Sequence, residues 1–181
     1  MLIVFTGNGK GKTTAALGQA FRAVGDGKNA LMVQFIKGPW KSGEDTSYLR
    51  LSPNLKIIKK GLGFVGILGD TLPRQAHIDS AHEALETAKA EAMKGAKNDT
   101  DGGKWHIIIL DEIWNTLKLE LITDQEVSDI ITYLTPHCEH LILTGRDCPQ
   151  HFIDQADLVT EMREVKHPYN TGTIAKKGLE F

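Results

Sequence analysis

The first fourteen residues, MLIVFTGNGKGKTT, constrain this chain more than any other stretch. Residues 2–5 are a continuous apolar run rich in β-formers, the pattern of a strand buried on both faces in a parallel sheet. Gly7, Gly9 and Gly11 follow, and then Ala15, Ala16, Leu17, Ala20, Phe21 and Val24 recur at helical spacing. A strand, a glycine loop ending in Gly-Lys-Thr and a helix make the phosphate-binding loop of an NTP site. Glycines let the backbone curl with its N–H groups turned inward. The helix N-terminus adds partial positive charge. Lys12 supplies a mobile cation, and the Thr13 hydroxyl can ligate Mg²⁺. The usual pattern G-x-x-x-x-G-K-[ST] asks for glycine at position 6, where Thr6 stands, so Gly7 comes one place late. A glycine turn that binds nothing is the bland alternative. The coincidence of lysine, threonine and strand–helix context outweighs it.

Residues 105–112, WHIIILDE, are the second strong signal. An apolar strand ending in Asp111-Glu112 is the Walker B arrangement, whose carboxylate holds Mg²⁺ directly or through water beside the phosphate loop. Polar residues at the C-terminal ends of parallel strands face the ligand crevice. That rule adds Gln34 and Lys37, at the end of an apolar strand over 30–36, and Arg146, after a strand over 140–143. Lys37 reads equally well as a solvated loop lysine.

The remaining elements alternate accordingly. The spacing predicts a helix over 12–24, stopped by 25–27, a short helix over 42–51 and a strand over 55–58. A long helix starts at Pro73, with Asp70 or Thr71 as cap and Ile78, Ala81, Leu85, Ala88 and Ala92 as its buried stripe. A polar, glycine-rich loop over 94–104 ends it. Asp124 is expected to cap a helix to Leu134, with strands over 157–165 and, at the sheet edge, within 172–181. The fold class is therefore α/β, a P-loop NTPase fold with a mostly parallel central sheet and helices on both faces. Its 181 residues form one domain.

Other features bound the function. Residues 61–69, GLGFVGILG, are glycine-rich but apolar, where a plain loop would be polar. Composition favours a loop packed on its own core; a cover over a large flat apolar ligand is the sharper reading. A net charge of −2 argues against broad nucleic-acid binding. The basic half of the chain carries the phosphate loop, which suits an anionic ligand. Cys138 and Cys148 form no metal or redox motif and suggest a reducing, cytoplasmic setting. His137-Cys138-Glu139-His140 contains ligand types, but its spacing fits no common zinc pattern. No stretch reaches membrane-spanning length, and no signal peptide is expected before the first strand.

Taken together, GNGKGKTT (7–14), QFIKG (34–38), LDEI (110–113), LTGR (143–146), ADLVTEM (156–162) and KHPY (166–169) resemble the ATP:corrinoid adenosyltransferases. The matches run in order along the whole chain. The resemblance implies a RecA-like fold and transfer of the 5′-deoxyadenosyl group of ATP to the Co(I) form of a corrinoid. Cobalt attacks the ribose C5′ and triphosphate leaves. It further implies ATP and a corrinoid as substrates, Mg²⁺, a reducing flavoprotein as electron donor and a homodimer. Gly7, Asn8, Gly9, Lys10, Gly11, Lys12, Thr13, Thr14, Gln34, Lys37 and Arg146 become the nucleotide-binding set. Thr13 and Glu112, with Asp111 behind them, become the metal ligands, and Lys12, Glu112 and Phe64 the catalytic set. Phe64 matches the position that lies against the corrin and excludes the lower axial ligand.

The chain departs from some members of that family. It begins at the core strand, where some carry an N-terminal extension. It has residues 65–68, VGIL, where some have a tryptophan, and Trp114 where others have smaller or polar residues. Two other readings compete. A conventional P-loop kinase or ATPase would act at the γ-phosphate; a small kinase should show an arginine-rich lid, and Arg146 and Arg163 stand alone. A nucleotide-gated corrinoid-binding module would catalyse nothing.

Overall fold

The computed structural model describes all residues except 39, 68, 97–102, 169–171, 173–175, 177 and 179–181. Six strands form one sheet: β1 Leu2–Thr6, β2 Ala30–Gln34, β3 Leu55–Lys59, β4 Trp105–Asp111, β5 Cys138–Thr144 and β6 Leu158–Glu161. Their spatial order is β3-β2-β4-β5-β1-β6, and each neighbouring pair is parallel. Such a sheet needs crossovers, and the helices supply them. They are α1 Lys12–Gly25, α2 Glu44–Ser47, α3 Arg74–Lys94, α4 Ile113–Lys118, α5 Asp124–Leu134 and α6 Gln150–Gln155.

Helices cover both faces, as the parallel pattern demands. On one face Ala16, Ala20 and Ala23 of α1 lie against Phe5, Met32, Ile109 and Ile142. On the other, Ala81, Leu85, Ala88 and Ala92 of α3 and Val127, Ile130 and Leu134 of α5 pack on Leu31, Ile108, Leu110 and Leu141. Strands β2 and β4 are apolar over 30–33 and 107–110 because both their faces are covered there. No helix among the described residues is long and apolar enough to cross a membrane.

Three local expectations need correction. The cap of α3 is Pro73, with no side-chain hydrogen bond at the helix end. Asp70 is used elsewhere: it accepts from the backbone N–H of Gly66 (2.8 Å) and Leu72 (3.1 Å) and pairs with His77 Nε2 at 3.0 Å. Thr123, not Asp124, caps α5, in a reciprocal capping box with Glu126. Strand β6 stops at Glu161 because the chain then turns onto the phosphate loop, where the Met162 carbonyl accepts from Gly9 N–H at 2.6 Å. Most of the expected edge strand within 172–181, and residues 97–102 of the polar loop, lie outside the described residues.

Candidate active site

The crevice opens at the C-terminal ends of β1, β4 and β5, between the phosphate loop and the segments that follow β2 and β5. Thr6 closes β1 and is buried, its hydroxyl accepting from Cys148 N–H at 3.1 Å. The turn therefore begins one residue later than the usual pattern. Gly7 has φ +97°, and a Cβ there would lie 2.4 Å from the Met162 carbonyl oxygen. Only glycine fits that approach. Gly11 caps α1 at φ +116°.

Lys12 is buried, and its ammonium donates to the Gly7 and Gly9 carbonyls at 2.8 and 2.7 Å. Burial lowers its pKa, and Arg146 adds to this; Glu112 and Asp111 oppose the shift. A crevice of about 750 Å³ opens in front of it. Asn8, Gly9, Lys10, Gly11, Lys12, Thr13 and Thr14 line it, and Lys37, Glu44, Glu112 and Arg146 face them. Asn8 also accepts from Glu164 N–H at 3.0 Å, which ties the loop to the chain beyond β6. Gly7 lies behind the lining, and Lys37 pairs with Glu44 at the mouth.

The two acids of β4 have different surroundings. Asp111 is fully enclosed and accepts from Thr144 Oγ1 (2.7 Å) and Gln34 Nε2 (3.0 Å), with Thr13 as a further side-chain partner. Burial raises its pKa, and these hydrogen bonds work against the rise. Gln34 is itself buried, so it reaches the site through Asp111 rather than from the crevice wall. Glu112 follows in the left-handed region at φ 67°, its N–H donating to Thr144 Oγ1 at 2.9 Å. A non-glycine residue there costs about 1–3 kcal/mol. The turn swings its carboxylate into the crevice, where Oε2 is buried without a hydrogen-bond partner. Burial and the Asp111 charge push its pKa up to about 7. A buried carboxylate oxygen without a partner, in the same crevice as Thr13 and facing cations, suits a hard divalent ion.

Phe64 is not part of that wall. It is 47% exposed and tilts against Trp40, ring centroids 6.1 Å apart. Leu62 and Ile67 are exposed beside it, so the 61–69 loop does not simply pack on its own core. The loop joins the crevice through its backbone. A Cβ on Gly61 would meet the Ile36 carbonyl carbon at 2.2 Å, and a Cβ on Gly63 would meet the Trp40 ring at 2.7 Å. Lys37 lies in that same segment. Trp40, Thr144 and Asn115 escaped the sequence reading. Asn115 Oδ1 accepts from Arg146 N–H at 2.5 Å and sets the loop that carries the guanidinium.

Comparison with known proteins agrees with this geometry. The family model for ATP:corrinoid adenosyltransferase BtuR/CobO/CobP matches residues 1–181. The corrinoid adenosyltransferase of Escherichia coli (strain K12) is 35% identical over 181 residues, covering 100% of this chain and 85% of that protein. The corrinoid adenosyltransferase CobA of Salmonella typhimurium (strain LT2) is 35% identical over 182 residues, with 100% and 85% covered. A corrinoid adenosyltransferase of Pseudomonas aeruginosa is 38% identical over 184 residues, with 100% and 83% covered. The chain belongs to the ATP:corrinoid adenosyltransferase family.

Proposed function

We propose that the chain transfers the 5′-deoxyadenosyl group of ATP to the Co(I) centre of a corrinoid and releases inorganic triphosphate. One observation carries this reading: a cation-lined phosphate crevice adjoins an exposed apolar loop whose Phe64 ring tilts against Trp40. The first suits a polyphosphate, and the second suits a broad flat apolar ligand.

In this reading Lys12 exchanges the Gly7 and Gly9 carbonyls for phosphate oxygens. Lys10, Lys37 and Arg146 place further positive charge around the triphosphate. Fixed cations in a partly buried site stabilise charge that develops on a leaving group. Thr13 and Glu112 are the residues that would hold Mg²⁺, with Asp111 behind them fixing Thr13 and Gln34. When bound, the ion supplies charge neutralisation on the triphosphate oxygens. No general base is required, because Co(I) is already a strong nucleophile. Phe64, supported by Trp40, lies against the corrin, excludes water and displaces the lower axial ligand, which eases reduction from Co(II). A reducing flavoprotein supplies that electron. A cytoplasmic homodimer is the form proposed; the buried free thiols of Cys138 and Cys148 fit a reducing compartment.

The fate of phosphorus tests the reading. The protein is incubated anaerobically with Mg²⁺ and ATP, with and without chemically reduced cobalamin, and the phosphates are separated. Triphosphate that appears only with the corrinoid is the expected result. Phosphate release independent of corrinoid would make the chain an ATPase or kinase, and no release would leave a binding module.

A further inference from the structure

At the opposite end of the sheet from the phosphate loop, β4 and β5 begin with an irregularity. A regular strand returns to one face every second residue. Here Trp105 and Ile108 share one core layer, as do Cys138 and Leu141, in each case three residues apart. The N–H groups of His106 and Ile107 both donate to the Asn29 carbonyl, at 3.0 and 3.2 Å. Two residues facing one is the mark of a β-bulge, a device that re-aims side chains. β5 follows in register, Trp105 opposite Cys138 and Ile107 opposite His140.

The bulge gathers His106, Glu139 and His140. Their ligand-type atoms all lie within 4.8 Å of one another. The two imidazoles meet edge to face, centroids 5.0 Å apart. His106 Nδ1 lies 3.0 Å from Glu139 Oε2, yet the approach is out of line for a hydrogen bond. Nδ1 of His106 and Nδ1 of His140 are both buried without a hydrogen-bond partner. Buried polar atoms normally find partners, so two orphaned imidazole nitrogens beside a carboxylate call for one.

The geometry points to a divalent transition-metal site of the zinc class, formed by His106, Glu139 and His140 across the first turns of β4 and β5. Two imidazoles and a carboxylate are a donor set that suits Zn²⁺, with water in the fourth position. Tetrahedral zinc with bonds of about 2.0–2.1 Å spaces its ligand atoms roughly 3.3 Å apart, close to the His106–Glu139 contact. The contiguous run 137–140 had concealed the set: Cys138 turns into the core, and the missing ligand comes from β4. Asp111 closes the far end of the same strand, so the site pins two core strands without entering the nucleotide crevice.

The test uses tag-free, chelator-stripped full chain with excess Mg²⁺. Zinc is titrated against a chromophoric chelator, and melting is followed with and without zinc. One zinc per chain is expected, with a raised Tm. His106→Gln and His140→Gln should weaken binding by more than the roughly 10–100-fold that outer-shell changes cost. Should either fail to fold, Glu139→Ala serves: this side chain is 45% exposed, so the variant should fold, bind zinc at least about tenfold more weakly and show a smaller zinc-dependent rise in Tm. Glu112→Gln should bind zinc as wild type does. No zinc uptake, uptake unchanged in Glu139→Ala, or uptake lost in Glu112→Gln would each overturn the site.

Discussion

Glu112 holds a backbone conformation that glycine would hold at less cost, and it buries a carboxylate oxygen with no partner. Both features oppose stability, so they should trade against function. Glu112→Gly should melt at or above the wild-type temperature, by up to about 1 kcal/mol of stability, while transfer falls at least about 100-fold. A matched pair of thermal scans and rate assays reads both; a destabilised variant would mean the turn is not strained. Glu112→Gln keeps the shape and should shift the Mg²⁺ requirement upward; superimposable Mg²⁺ titrations would assign the ion to other residues. Lys12→Ala should lower turnover by roughly 10²–10³-fold with an unchanged circular dichroism spectrum, as for loss of a group that stabilises a leaving anion. The Asp-Glu pattern at a strand end names Asp111 and Glu112 together, and only the family resemblance ranks Glu112 as ligand with Asp111 behind it. The difference comes from the left-handed turn at Glu112 and from the Thr144 hydroxyl, contributed by a strand far along the chain.

At the scale of elements, the loop around Phe64 is held by Asp70, whose carboxylate ties Gly66 and Leu72 to His77 of α3. Phe64→Ala should slow adenosylation that starts from Co(II) far more than adenosylation of chemically prepared Co(I), by about tenfold or more, with ATP affinity unchanged; a difference of that size corresponds to roughly 1.4 kcal/mol. Equal losses from the two cobalt states would reduce Phe64 to packing. Glu91 clips α3 to β3 through Lys56, at 2.6 Å, and also holds Lys94, at 2.9 Å. Burial alone would raise its pKa, but these two lysines hold it below its ordinary 4.5. A lowered folded-state pKa gives stability that is present above the unfolded value and lost as pH falls through the folded one. The advantage of wild type over Glu91→Gln should therefore be about 1 kcal/mol near pH 7 and fade as pH falls below 4.5 through the lowered folded-state value, as denaturant midpoints across pH would show. The long helices and the core strands are legible because apolar runs and 3.6-residue spacing are local; the six-residue α4 and α6 are too short to show a period. Caps were less so. Thr123 and Asp124 are equally competent neighbours, and Glu126 decides between them; Asp70 is taken by His77 before it can cap α3.

For the whole molecule, parallel strands and helices on both faces followed from the sequence, since the inner strands carry continuous apolar runs and helices intervene. The order β3-β2-β4-β5-β1-β6 did not, because which strands become neighbours depends on contacts distant in sequence. That order brings the phosphate loop, the Asp111-Glu112 turn and the Arg146 loop to one end of the sheet, and at the other brings β4 to His140. The same crevice and its apolar neighbour are held to join the C5′ carbon of ATP to cobalt. A single anaerobic turnover with ATP labelled with ¹³C at C5′ and chemically reduced cobalamin tests this most directly. One ¹³C carried into a light-sensitive corrinoid fraction for each triphosphate released is the expected result. Label that remains in ADP or AMP, with no carbon–cobalt product, would contradict it.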